Sequence, residues 1–235
     1  MPMVSRVRTA AAAVAGGLLL TACGGGGDAD PGASSSSASS TSASPSASSS
    51  AAAGAVTEEA KKRASSATKK ALLPSDAFAK IGLEVDMKPE EKKWDWFESC
   101  RPFLPSESRQ VTGHHGRWKG EGAIVDQTVV AYPDGVAETI VAEVAKTVTC
   151  TEYSAGQSSY TKVASVDLPK KPAEADASHA WCMHSSNGDE VCHSVFAEQD
   201  LISSIWVMAK QRDDALDALG VMTALAAKRI AVQVS

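Results

Sequence analysis

Two very short connections restrict the second half of this chain to one kind of sheet. Ser186-Asn187-Gly188 and Glu198-Gln199-Asp200 separate extended, β-prone runs at 178–185, 190–197 and 201–209. A parallel pair of strands needs a crossover of about a dozen residues or more, so runs joined by three or four residues must lie side by side in opposite directions. Another extended run, 160–168, comes just before them, and together the four predict an antiparallel meander.

Upstream, Gly122 to Tyr132 reads GAIVDQTVVAY, β-branched and flanked by Gly and Pro, which predicts one earlier strand. A helix is expected directly after it. Asp134 is placed to cap it, and Ala137, Ile140, Val141, Val144 and Val148 form an apolar stripe that must lie on the sheet. A closing helix is predicted over 213–229, with acids in its first turn, Lys228 and Arg229 in its last, and Leu216, Leu219, Thr223, Ala226 and Ile230 along one side. In LLPSDAFAKIG, Ser75 or Asp76 is expected to cap a short helix that Gly82 ends, and Trp94, Trp96 and Phe97 follow just ahead of Cys100. The expected class is α+β: an antiparallel sheet, made of the meander plus one earlier strand, with helices packed on it and two disulfides.

The N-terminal segment points to export. MPMVSRVR carries Arg6 and Arg8 and no acid, an uncharged Ala/Leu-rich run follows to Leu20, and the segment ends Leu20-Thr21-Ala22-Cys23. That is the pattern of a signal peptide, with an apolar run about half the ~20 residues a membrane span needs. Leu-Thr-Ala-Cys resembles the bacterial lipobox, which assigns Cys23 to lipid. The reading is therefore a lipoprotein signal peptide over 1–22 and a lipidated Cys23 opening a Gly/Ser/Ala-rich linker over 23–56. A loose helical lead-in over 57–71 follows, and then one domain over 72–235. The linker has nothing to bury, and the 33 residues from Gly24 to Val56 span about 30 Å as a flexible chain. The lead-in has helix formers but no apolar stripe. The expected location is the outer face of the cytoplasmic membrane.

The net charge is −5, and removing 1–22 takes away two arginines and no acid, giving −7. A nucleic-acid partner is not expected at that balance. The run Lys61-Lys62-Arg63 follows Glu58-Glu59 and reads as a solvated helix face, so the acyl chains do the anchoring.

Four cysteines remain after Cys23: Cys100, Cys150, Cys182 and Cys192. An even number in an exported chain argues for two disulfides. If Ser186-Asn187-Gly188 is a three-residue loop with Gly188 left-handed, Cys182 faces Cys192 across the hairpin and Trp181 faces His193. A two-residue Asn187-Gly188 turn would instead set Cys182 opposite His193 and part the sulfurs. By elimination the other bridge is Cys100 to Cys150. A zinc site would use Cys182 and Cys192 with His184 or His193, but the paired short ligand spacing of zinc modules is missing. His114-His115, in TGHHGRW, reads as part of a solvated loop, and two adjacent side chains point apart.

No nucleophile, zinc-protease or phosphate-loop motif is present, and the scattered carboxylates have no spacing that pairs them; the chain reads as a non-enzyme needing no cofactor. Each of Trp94, Trp96, Trp118, Trp181 and Trp206 taken alone is better read as packing. If Trp118, Gln127, Trp181 and His193 share a concave sheet face, they form the candidate ligand cleft: aromatic walls with a few polar groups.

The stretch VDQTVVAYPDGVAETIVAEVAKTVTC, then a strand, then WCMHSSNGDEVCHSV, then a strand and a terminal helix, resembles the PknH-like extracellular sensor domain family, which also occurs as free actinobacterial lipoproteins. The resemblance covers about 72–230 and rests mainly on QTVVAYP and the order of the four cysteines. It implies an antiparallel sheet with helices, a solvent-exposed ligand cleft, and sequential disulfides matching Cys100–Cys150 and Cys182–Cys192. The kinase half is absent from this sequence, with no His-Arg-Asp or Asp-Phe-Gly motif, so signalling would need a partner. The expected function is a tethered sensor-like domain that binds an unknown envelope ligand. The alternatives are a module docking a membrane kinase or cell-wall enzyme through its sheet edge and, weaker, a lipid carrier. With aromatics only 5% of the chain, a large greasy cavity is hard to build.

Overall fold

A computed structural model describes residues 56–91, 104, 106–132, 135–155, 157–165, 172 and 175–234. Among them one sheet is built from β1 (Glu84–Glu91), β2 (Thr112–Gly120), β3 (Ala123–Ala131), β4 (Glu152–Ala155), β5 (Ser158–Ser165), β6 (Ala177–Ser185), β7 (Glu190–Glu198) and β8 (Leu201–Ala209). The spatial order is β1-β2-β3-β8-β7-β6-β5-β4, with every neighbouring pair antiparallel. The helices are α1 (Glu58–Ala71), α2 (Ala137–Thr147) and α3 (Arg212–Val234). The α+β class and the β5-to-β8 meander are as expected, and β8 returns the meander to pair with β3.

Three strands precede α2 rather than one. β1 reads EVDMKPEE and is exposed along most of its length, and β2 reads TGHHGRWKG. Neither has the β-branched alternation that marks a strand. β2 is held by pairing on both sides, so TGHHGRW is a central strand rather than a solvated loop, and His114 and His115 are both buried. Gly120 ends β2 where no side chain fits: a Cβ there would lie 2.6 Å from the Gly82 carbonyl oxygen and 2.7 Å from Leu83 Cδ2.

α1 packs on β2, β3 and α3. Its contact surface is made of small residues, with Ala64 and Ala67 against the core and Thr68 and Ala71 fully buried, which is why no large apolar stripe marks it. Thr57 caps it, accepting the Ala60 N–H at 3.2 Å. It is thus a docked helix, not a loose one. The short helix of LLPSDAFAKIG is a single 3-10 turn, Ala79–Ile81, without side-chain capping from Ser75 or Asp76; Gly82, with φ 80°, ends it as expected. α2 has the expected stripe, with Ile140, Val141 and Val144 buried. Its proposed cap, Asp134, lies outside the described residues. α3 runs further than the expected 213–229 and buries Leu219, Met222, Ala226 and Ile230. Each large apolar side chain sealed in this way contributes roughly 1.5–3 kcal/mol.

The sheet thus separates two apolar layers. α1 and α3 cover one face, over Val125, Val129, Phe196, Ile205 and Val207. α2 covers part of the other, over Val191, Val195, Ile202, Trp181 and Met183. The hairpin register is the one the longer turn requires: Cys182 faces Cys192, Trp181 faces His193, and Gly188 has φ 78°. Cys182 and Cys192 form a disulfide with Cα atoms 4.1 Å apart. It is the one complete bridge among the described residues. Cys100 lies outside them, so its pairing with Cys150 stays a proposal; Cys150 is not a free thiol. Cys23, the leader and the linker over 23–55 lie outside the described residues as well, as do Trp94, Trp96, Phe97 and the end of the expected 160–168 run.

Candidate functional site

The four residues expected to line one cleft lie on two faces of the sheet. Trp118 and Gln127 point to the α1/α3 side, whereas Trp181 and His193 point to the α2 side. Register is the cause. Cross-strand partners share a face and successive residues alternate, and Gln127 pairs with Ile205 while His193 pairs with Trp206. Trp118 and Gln127 act as fasteners. The Trp118 indole N–H donates to the Ser75 carbonyl at 3.2 Å, and its ring meets Phe78 edge-on at 5.2 Å. Gln127 is fully buried; its Oε1 accepts the Leu73 N–H at 2.8 Å and its Nε2 donates to Ser203 Oγ at 3.2 Å.

On the α2 side, one row crosses the sheet through Arg117, Asp126, Trp206, His193 and Trp181, each paired with the next. Asp126 Oδ1 accepts from Arg117 Nε at 2.9 Å and lies 2.6 Å from His115 Nε2. The His193 ring stacks on Trp181 with centroids 4.9 Å apart and 7° between planes, and meets Trp206 edge-on at 6.3 Å. Burial pushes the His193 pKa down to about 3, against the pull of Asp126. Its Nε2 is sealed from solvent with no hydrogen-bond partner among the described residues. An imidazole held neutral at physiological pH serves as a rigid aromatic spacer, not as a proton shuttle.

The zinc alternative loses its donors. Cys182 and Cys192 are bonded to each other, His193 faces away from them, and exposed His184 pairs with Glu190 at 2.7 Å.

One opening among the described residues was not anticipated from the sequence. A groove of about 660 Å³ runs between α1 and the β1–β2 edge, lined among others by Lys62, Ser66 and Lys69 of α1, Glu91 of β1, and Thr112 and His114 of β2. Its floor is fixed by hydrogen bonds. His114 Nδ1 lies 2.8 Å from Thr68 Oγ1, and that hydroxyl is 3.0 Å from the carbonyl oxygens of both Ala64 and Ser65. The threonine proton is used on the helix backbone, so the network assigns the donor role to His114 Nδ1–H and leaves Nε2 as an acceptor. That Nε2 is 4.0 Å from Glu91 Oε2. Burial lowers the His114 pKa, with Lys69 adding to the effect and Glu91 opposing it. The Ser65 hydroxyl, more than Thr112, His114 and Lys69, holds the Glu91 carboxyl below its ordinary range, against a partial desolvation. Reading Lys61-Lys62-Arg63 as a solvated face and TGHHGRW as a loop hid this site. The visible signal is the Lys62, Ser66, Lys69 spacing, which puts the three on one side of a helix.

The sequence matches no known protein-family model and no curated protein. The fold is similar to the crystal structure of the extracellular domain of PknH from Mycobacterium tuberculosis, with a TM-score of 0.52 at 12% identity over 71% of this chain and 97% of that one. An uncharacterised protein from Mycobacterium smegmatis gives a TM-score of 0.35, also at 12% identity, over 71% of this chain and 96% of that one. At such identity the likeness is one of fold, and the chain has a PknH-like extracellular-domain fold.

Proposed function

We propose that this protein is a membrane-tethered, extracytoplasmic, sensor-like domain that binds an envelope ligand and carries out no reaction. The observation that carries this reading is the groove between α1 and the β1–β2 edge, whose volume of about 660 Å³ lies within the range of about 300–1,000 Å³ usual for small-ligand sites. The location is supported by the lipobox-like Cys23, by the Ser/Ala/Gly tether, by the Cys182–Cys192 disulfide, which suits an oxidising compartment, and by a fold shared with an extracellular domain. Among the described residues no helix is long and apolar enough to cross a membrane.

Docking through a sheet edge fits less well. β1 carries Glu84, Asp86, Lys88, Glu90 and Glu91 and is interrupted by Pro89, and β4 is only four residues long; both are devices that discourage strand addition. A second reading, docking through α3, is favoured by one observation: Val221, Leu225 and Val232 are exposed on it. Native mass spectrometry of the protein purified from its own envelope separates the two. A co-purifying small molecule supports the sensor. Its absence, together with one protein captured reproducibly by crosslinking, would replace the sensor with the docking module.

A further inference from the structure

We infer that the groove between α1 and the β1–β2 edge selects a polyol carrying a phosphate group. This deepens the ligand-binding reading and rests on it. His114 Nε2 and Glu91 Oε2, 4.0 Å apart, are two acceptors side by side on the groove wall. Thr68 pins the His114 ring, and Thr112 Oγ1 donates to Glu91 Oε1 at 3.1 Å, which leaves Oε2 of the half-exposed carboxylate facing the His114 ring. Two adjacent acceptors call for two adjacent donors. An ammonium group would supply them, but Lys61, Lys62 and Lys69 outnumber Glu58 and Glu91 in the lining, so the groove carries net positive charge and disfavours a cation. Two neighbouring hydroxyls supply the same donors without charge, each reaching about 2.8 Å from its acceptor.

The lysines define the other half of the ligand. Lys61 is occupied by Glu58 at 2.6 Å. No carboxylate lies within ion-pair distance of Lys62 or Lys69 among the described residues, and both rise from the groove side of α1 with Ser66 between them. Their long stems allow both ammonium groups to converge on one anion. A carboxylate has one oxygen for each lysine and none left over, whereas a phosphate has oxygens for both and a further one for the Ser66 hydroxyl between them. Acceptors on one wall and cations on the other thus describe a vicinal diol bearing a phosphate. Such a ligand is either a soluble sugar phosphate or a polyol phosphate lipid headgroup.

Titrations of the full chain followed by NMR, reading the His114 ring and the α1 amides, test this. Glucose 6-phosphate should shift these signals and bind about tenfold or more tighter than glucose or inorganic phosphate, because each alone meets only half of the site. K62Q/K69Q should remove about tenfold of that affinity, leave weak glucose binding unchanged and keep the melting temperature, since both side chains lie on the surface. Vesicles with phosphatidylglycerol, whose headgroup has both diol and phosphate, are compared with vesicles of phosphatidic acid. Preference for the former assigns the lipid source, and glucose 6-phosphate binding alone assigns the soluble one. Glucose 6-phosphate binding no better than phosphate, or equally well to K62Q/K69Q, overturns the inference. If an envelope ligand without phosphate co-purifies in the groove, the inference falls while the sensor reading stands. If no ligand co-purifies and none shifts the groove, both fall.

Discussion

Acidification from pH 7 to pH 4 should cost the native state up to about 3 kcal/mol through a single half-buried side chain, His193. The ring lies flat on Trp181, edge-on to Trp206, with Nε2 sealed from water, and burial holds its pKa at about 3 instead of the ordinary 6.5. An unfolded chain protonates this group near pH 6.5, whereas the folded chain does not until near pH 3. The folded value is the depressed one, so the contribution is complete above pH 6.5 and is lost as pH falls toward 3. Between 6.5 and 4 lie about 2.5 pH units, each worth about 1.4 kcal/mol, which gives about 3 kcal/mol. His193→Phe keeps a ring in the stack and removes the titration. Urea unfolding of both proteins at pH 7 and pH 4 isolates the effect, because every other side chain is the same in the two. The wild type should lose up to about 3 kcal/mol more than the variant over that interval, whatever the variant costs at neutral pH. In parallel, the His193 ring resonances should stay at their neutral positions down to pH 4. An equal loss in the two proteins would show that His193 is solvated and that the stacked row is not a closed layer.

Four further outcomes follow from named contacts. Replacing Cys182 and Cys192 together by Ala should lower stability by about 3 kcal/mol in chemical denaturation, the chain-entropy value for a bridge across a sequence separation of 10. Gln127→Ala leaves the Leu73 N–H and Ser203 Oγ without their partner in a sealed layer and should cost about 1–3 kcal/mol; thermal unfolding indistinguishable from wild type would show that water enters there. Gly120→Ala should cost about 1–3 kcal/mol because its Cβ would press on the Gly82 carbonyl at 2.6 Å, which differential scanning calorimetry reads directly. Cys23→Ala should move the protein out of the membrane fraction or stall its processing; an unchanged membrane pool with normal cleavage would remove the lipobox.

The sequence by itself determined whatever depends on neighbours along the chain. Loop length made the meander antiparallel, and the symmetric placing of Cys182 and Cys192 about Asn187 set the turn and the register of β6 on β7. The stripes of α2 and α3 were legible because a helix repeats its apolar positions within a few residues. Tertiary structure decided what depends on distant partners. β1 and β2 carry no β-branched pattern, and they are strands because β3 pairs with β2 and β2 with β1. α1 docks through Ala64, Ala67, Thr68 and Ala71, residues too small to mark a stripe, and so closes over His114 and forms the groove. Above all, no loop length ties β3 to β8. Their register set Gln127 beside Ile205 and so turned Trp118 and Gln127 away from Trp181 and His193. In a strand a slip of one residue turns every side chain to the other face, so only the long-range pairing of the sheet determines which aromatics share a layer.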